Sequence, residues 1–196
     1  MPSNQVAALL QRARAGDAEA FEQLIEPHVG RLYNYLARMV GDPADAEDLT
    51  QDAILRVHRA IGSFRGGATF QTWLYRIATN IAVDALRRRA RRSARVSSLD
   101  DPLQAEQGLV AREVRDTQRD PQQRAEASEL TAEVQKAIDQ LSPKLRAVVV
   151  LFDLQGLTYD EIAQALALPL GTVKSRLFNA RSRLRELLEP YVVGAG

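Results

Sequence analysis

The side chains with the strongest chemical character gather in a few segments. Asp42, Asp45, Glu47, Asp48 and Asp52 stand between residues 42 and 52 with no basic residue among them. Arg87, Arg88, Arg89, Arg91, Arg92 and Arg95 stand between residues 87 and 95 with no acid. Near the C-terminus, Lys174, Arg176, Arg181 and Arg183 are interleaved with Thr172, Ser175 and Asn179. A metal-dependent nuclease needs clustered carboxylates, but the acids here have a helical spacing that suits capping and docking. The arginine run suits phosphates. Hydroxyls, an amide and cationic forks suit base edges and phosphates. The two histidines, His28 and His58, are isolated from each other, and no nucleophile, base or metal set sits at working spacing. These residues point to binding rather than catalysis, with no metal or cofactor expected.

The chain's net charge is only +1, an average that hides this segregation. An acidic patch and a basic patch on one chain imply two kinds of partner. No cysteine occurs, which excludes disulfides and thiolate metal sites and suits a reducing, cytoplasmic setting. The segment MPSNQVAALLQRARAGD is too polar, and too interrupted by arginine, for a secretory signal. No apolar run reaches the roughly 18 residues a membrane span requires. Hydrophobic residues make up 45% of the 196 residues, enough for compact cores.

The elements that must position these groups read as helices nearly throughout, because no stretch sustains period-two alternation. Asp17 caps a helix running toward Gly41, with Pro27 expected to break or kink it. Asp42-Pro43 places a cap before a proline at the first helical position. That helix runs to about Ile61, stops at Gly62, and turns Ala46, Leu49, Ala53, Val57 and Ala60 inward. Residues 63–68 form a loop. The next helix starts near Thr69 and continues into the arginine run, with Phe70, Trp73, Leu74, Ile77 and Ile81 on one stripe. Asp84 falls on the core side of this helix and is expected to make a structural salt bridge. Residues 96–127 carry Pro102 and Pro121 among many polar residues and no aromatic, which predicts a flexible linker. Fully drawn out, it would span about 105 Å at ~3.3 Å per residue.

A second helical unit follows. Leu130, Val134, Ile138 and Leu141 mark one helix, and Ser142-Pro143 caps the next. Thr158 and Glu161 form a capping box. The Leu168–Gly171 stretch is a turn, and a last helix runs from Thr172 to about Leu188. Ile162, Ala163 and Leu166 face inward on the first of these two helices, and Val173, Leu177, Ala180 and Leu184 on the second. The pattern is that of a helix-turn-helix. At 100° per residue, the outward face of the last helix carries Gly171, Ser175, Phe178 and Ser182, with Thr172 and Asn179 beside them. Lys174, Arg176, Arg181 and Arg183 flank it.

Three motifs now carry a family resemblance. Residues 159–163 (YDEIA) and 171–177 (GTVKSRL) resemble the C-terminal domain of extracytoplasmic-function (ECF) sigma factors of bacterial RNA polymerase. Residues 45–52 (DAEDLTQD) resemble that family's polymerase-binding segment. Residues 70–80 (FQTWLYRIATN), followed by 84–88 (DALRR), resemble its promoter-melting, −10-reading helix. The three occur in the family's order and cover most of the chain outside the linker and both tails.

The resemblance implies roles. The helix bearing Asp45, Glu47, Asp48, Gln51 and Asp52 would dock on the coiled coil of the polymerase β′ subunit. The helix from Thr69 and the loop before it would engage the displaced nontemplate strand at the −10 element. On rotation, Thr72, Tyr75, Arg76, Thr79 and Val83 take the outer face, with Asn80 at its edge and Phe64 and Arg65 in the loop. Tyr75 could stack on an extruded base, Trp73 is a buried anchor, and Arg87 and Arg88 meet phosphates. The last helix would read the −35 element, with Lys174, Ser175, Phe178 and Asn179 near bases, Thr172 alongside, and Arg176, Arg181 and Arg183 on phosphates. Family members often carry arginine where Asn179 stands. An anti-sigma factor and contacts to the polymerase β subunit are also implied.

The expectation is an all-α protein of two small domains, residues 1–95 and 128–190, joined by linker 96–127. It would bind core RNA polymerase and direct promoter-specific initiation. The alternative is a stand-alone helix-turn-helix regulator, against which the acidic and aromatic N-terminal helices argue.

Overall fold

The computed structural model describes residues 3–96 and 121–193. Among the described residues the regular elements are all helical: α1 (Ser3–Arg14), α2 (Ala18–Val40), α3 (Pro43–Ala60), α4 (Phe70–Val96), α5 (Pro121–Asp139), α6 (Pro143–Val149), α7 (Tyr159–Leu166) and α8 (Leu170–Val193). A 3₁₀ turn, Ile61–Ser63, follows α3, and a π-helical turn, Val150–Leu154, extends α6. None of the described helices is long and apolar enough to cross a membrane. Residues 97–120, most of the expected linker, lie outside the described residues. The remainder from Pro121 belongs to α5.

The first half is built on α2. Asp17 caps it by accepting from the Ala20 amide at 3.0 Å. That bond, together with the Arg12 guanidinium, holds the Asp17 carboxyl below its ordinary value. Pro27 neither breaks nor ends the helix. It removes one backbone donor, but the buried residues on both sides of it, Leu24 and Ile25, then Leu32, Tyr35, Leu36 and Met39, keep one apolar stripe in register. Gly41 terminates the helix at φ 76°, donating its amide to Ala37 O. α1, which the sequence patterning did not mark as a helix, packs on α2 through buried Leu9 and Ala13.

α3 opens as expected. Asp42 accepts from the Asp45 amide at 2.9 Å and Pro43 takes the first turn. Its buried positions are Ala46, Thr50, Ala53 and Val57, while Leu49 and Ala60 are only half-buried. Thr50 is admitted because its hydroxyl donates to Ala46 O at 2.6 Å, leaving no buried donor unpaired.

The second half is a bundle of α5 to α8. Of the residues that mark this helix, Leu130 is 61% exposed and Val134 half-buried, while Ile138 and Leu141 are buried along with Ala137. Ser142 precedes Pro143, but its side chain makes no cap hydrogen bond. The capping box forms as expected, with the Thr158 amide donating to Glu161 Oε2 at 2.9 Å and the Glu161 amide donating to Thr158 Oγ1. Ala167, at φ 51°, turns the chain between α7 and α8, and α8 begins at Leu170, ahead of the expected Thr172. The two halves touch: α6 and α7 lie against α4, and α5, α6 and the π-helical turn lie against α2.

Candidate nucleic-acid interface

α8 is an exposed helix with a narrow buried stripe. Val173, Leu177 and Ala180 are buried against its neighbours, and Leu184 is half-buried. α7 supports it with Ile162 and Ala165, while Ala163 and Leu166, expected inward, are half-buried. The opposite face presents Lys174, Ser175, Phe178 and Asn179 to solvent, with Thr172 and Arg176 half-buried beside them. Phe178 is 71% exposed, a high value for a large apolar ring.

Lys174, Arg181 and Arg183 on the flanks of that face are not free. Arg181 is ion-paired with Asp153, which raises its pKa through the hydrogen bond. Its guanidinium also lies 5.1 Å from the Phe152 ring centroid. Phe152 stacks on Tyr159 at 4.7 Å, and Lys174 Nζ sits 5.9 Å from the Tyr159 centroid. Arg183 pairs with Glu186 at 2.8 Å. Exposed pairs of this kind are worth roughly 0–1 kcal/mol, so a phosphate can displace the carboxylates.

α4 is the reverse, a buried helix with a narrow exposed stripe of Arg76, Asn80, Asp84 and Arg87. Rotation of the sequence placed Thr72, Tyr75 and Thr79 outward, and the structure corrects this. They are 1%, 1% and 6% exposed. Thr79 donates its hydroxyl to Tyr75 O at 2.7 Å and accepts from Tyr35 Oη at 2.6 Å. The Tyr75 ring meets Tyr35 edge-on with centroids 5.2 Å apart, and its hydroxyl donates to Gln155 Oε1 at 2.7 Å. Burial pushes the Tyr75 phenol up to about 12, so it stays a donor across neutral pH. Tyr75 therefore has no free face for stacking on a base in this arrangement.

Phe64 needs a second correction. It is buried, with its ring 5.1 Å from Trp73 and 6.2 Å from Phe70. It anchors the loop from beneath, while Arg65 is exposed. Trp73 is half-buried in the same cluster, in keeping with an anchor. Val83 is half-buried, and Arg88 is exposed. Asp84 is exposed rather than on the core side, and pairs with Arg87 at 3.5 Å.

On α3, Asp45, Glu47, Asp48 and Gln51 are exposed, and Asp52 is half-buried in an ion pair with Arg56 at 2.9 Å. Asp45, Asp48 and Leu49 share a cleft of about 580 Å³ with Arg88, Arg89, Arg91 and Arg92 of α4. The acidic and basic clusters, distant in sequence, are thus opposite walls of one groove.

The chain matches sigma-70 region 2 over residues 24–92 and sigma-70 region 4 over residues 131–184. It is 37% identical over 191 residues to the ECF RNA polymerase sigma factor SigE of Mycolicibacterium smegmatis, covering 95% of this chain and 70% of that one. It is 35% identical to the ECF RNA polymerase sigma-E factor of Escherichia coli, covering 94% of each chain. The chain belongs to the ECF sigma factors.

As a sigma factor it directs RNA polymerase to promoters, and the region 2 match over its first half sets aside the stand-alone regulator. Sigma factors are non-catalytic initiation factors. Among solved structures, CnrH in complex with the cytosolic domain of CnrY is similar with a TM-score of 0.66 and 26% identity, covering 95% of this chain and 98% of that one. The sigma factor RpoE of Bartonella quintana, in complex with the anti-sigma factor NepR, shares the fold with a TM-score of 0.65 at 24% identity, covering 88% of this chain and 98% of that one.

Sequence reasoning missed the polar residues between the sigma factor's two halves: Arg38, Gln135, Asp139, Arg146 and Gln155. Arg146 alone left a signal, as a cation within the apolar run from Leu145 to Leu151.

Proposed function

We propose that the two halves divide the promoter between them. The exposed face of α8 reads the −35 duplex in the major groove, with Lys174, Ser175, Phe178 and Asn179 near base edges. Thr172, Arg176, Arg181 and Arg183 hold the phosphates. The exposed stripe of α4, Arg76 and Asn80 with Arg65 of the preceding loop, engages the displaced nontemplate strand at the −10 element. Arg87 and Arg88 lie along its backbone. Phe64, Tyr75, Thr79 and Val83 support that stripe from within. The observation that carries the reading is the solvent exposure of Ser175, Phe178 and Asn179 on the outer face of a helix-turn-helix whose inner stripe is fully packed.

Asp45, Glu47, Asp48, Gln51 and Asp52 of α3 form the surface for the β′ coiled coil, with further contacts to β. Their charge suits a basic helical partner. The solved relatives named with anti-sigma factors support such a partner for this chain too. The absence of cysteine suits a cytoplasmic setting.

The test is a gel shift with promoter DNA, with and without core polymerase. Specific binding is expected to require core, and Asp48→Lys is expected to weaken core association about tenfold with folding intact. Unchanged core affinity of the variant in a pull-down would remove the docking role from α3.

A further inference from the structure

Of Lys174, Ser175, Phe178 and Asn179 on the exposed face of α8, only Asn179 carries a donor and an acceptor fixed side by side. Its amide has no hydrogen-bond partner among the described residues, so both ends are open to a ligand. Ser175 and Arg183 stand one turn to either side on the same row of the helix. Ser175 Oγ already donates to Thr172 O at 3.1 Å, so what it has left is an acceptor. Arg183 pairs with Glu186 at 2.8 Å. Arg181, two residues on, faces another side of the helix and is held by Asp153 and the Phe152 ring. Arg176, three residues back, is half-buried. The nearest guanidiniums are thus paired or half-buried, and the amide sets the chemistry at its own base pair. Phe178 beside it is 71% exposed. Docked in a groove, a ring of that size displaces water from around the amide. An amide deprived of water and left with one end unmatched weakens binding, so this neighbour sharpens the choice of base.

The bases differ in what they offer in the major groove. Adenine alone puts an amino donor, N6, beside an acceptor, N7. An asparagine amide matches both, with Oδ1 accepting from the first and Nδ2 donating to the second. Guanine presents two acceptors, O6 and N7, so the amide carbonyl would face a lone pair. Cytosine offers only a donor, and thymine only an acceptor with a methyl group. A guanidinium in the same place would reverse the order, because its paired N–H groups match the two acceptors of guanine. We propose that Asn179 makes this sigma factor select adenine at one position of its −35 element, through a bidentate contact of the amide with N6 and N7. The proposal rests on the reading of α8 given above and goes beyond it by naming the base.

The experiment uses holoenzyme, formed from the full chain and core polymerase, on a promoter whose transcript start has been mapped. Every base pair of the upstream element is varied in turn. Run-off transcription is read for the wild-type chain, Asn179→Ala and Asn179→Arg. At one position the wild type is expected to favour adenine by about tenfold to a hundredfold. Asn179→Ala should level that position and no other, and Asn179→Arg should turn it toward guanine. A wild-type preference for guanine, cytosine or thymine at the position that Asn179→Ala levels overturns the adenine assignment and leaves α8 as the −35 reader. Adenine preference retained by Asn179→Arg overturns it too. If Asn179→Ala levels no position, or lowers all sequences alike, the failure lies instead in the underlying reading that Asn179 stands near a base. Altered bases then test the atoms without changing the protein. Purine, which lacks the N6 amino group, and 7-deazaadenine, which lacks N7, replace adenine at that position. Each should weaken wild-type transcription about three- to tenfold and leave Asn179→Ala unaffected. Equal tolerance of both bases by the two proteins contradicts the bidentate contact.

Discussion

α4 and α8 are the longest helices of their halves and both present polar residues, yet they are held in opposite ways. α8 buries Val173, Leu177 and Ala180, half-buries Thr172, Arg176 and Leu184, and leaves Lys174, Ser175, Phe178 and Asn179 to solvent. α4 is enclosed by α2, α3 and the second half, and before Arg87 exposes only Arg76, Asn80 and Asp84, with Arg87, Arg88, Arg89, Arg91 and Arg92 exposed beyond. A substitution on most of α8 therefore changes recognition without touching the fold. On α4 the same chemistry divides sharply, because one step round the helix moves from the exposed stripe to a packed wall.

The largest expected effect tests that wall. Leu74→Ala should cost about 2–5 kcal/mol of stability, lowering thermal midpoint and every DNA activity together. A variant that keeps its midpoint but loses only melting would break the contrast. Next comes the exposed stripe. Arg76→Ala with Asn80→Ala should reduce open-complex formation roughly ten- to hundredfold, the worth of one or two charge-assisted or neutral hydrogen bonds. Closed-complex binding and the thermal midpoint should hold. Equal losses in closed and open complexes would remove strand reading from α4.

On α8, Asn179→Ala should alter preference at particular base pairs by about 1–3 kcal/mol where a good contact is lost, with stability unchanged. A promoter base-scan reads this directly, and a uniform loss across all sequences would assign Asn179 to the backbone instead. The smallest effect belongs to Arg183→Ala. It should weaken binding to all promoters alike and shrink the salt slope by about one. The existing pair with Glu186 would make the change smaller still.

The same contrast explains how much the sequence could tell. On α8 the apolar stripe is narrow and strictly periodic, so rotating the helix found Lys174, Ser175, Phe178 and Asn179 on the exposed side. On α4 the rule fails at Thr72, Tyr75 and Thr79, because the helix is packed against α2 and α3 and also against α6 and α7, so the face away from Ile77 is largely buried too. Thr79 hides its hydroxyl on Tyr75 O, and Tyr75 finds Gln155 in the other half. Neither partner is visible to a periodicity argument. Phe64 was placed in a DNA-facing loop by its position, yet the ring turns under the loop onto Phe70 and Trp73. Caps are legible at Asp17, Asp42 and Thr158, where donor and acceptor lie within one turn, but not at Ser142, whose side chain makes no cap hydrogen bond. The boundary between halves was not, because its bonds join residues such as Met39 and Arg146 that are remote in the chain.

The central claim is that two separate surfaces, on α8 and on α4, read two separate stretches of one promoter. Footprinting of holoenzyme tests it most directly, comparing the wild-type chain with Ser175→Ala plus Asn179→Ala on a promoter whose transcript start has been mapped. Duplex protection and single-strand reactivity are recorded together. The account predicts that the variant loses protection at the upstream element, while the holoenzyme that still forms opens the same bases at the same start. Loss of the melted region with upstream protection intact would contradict it.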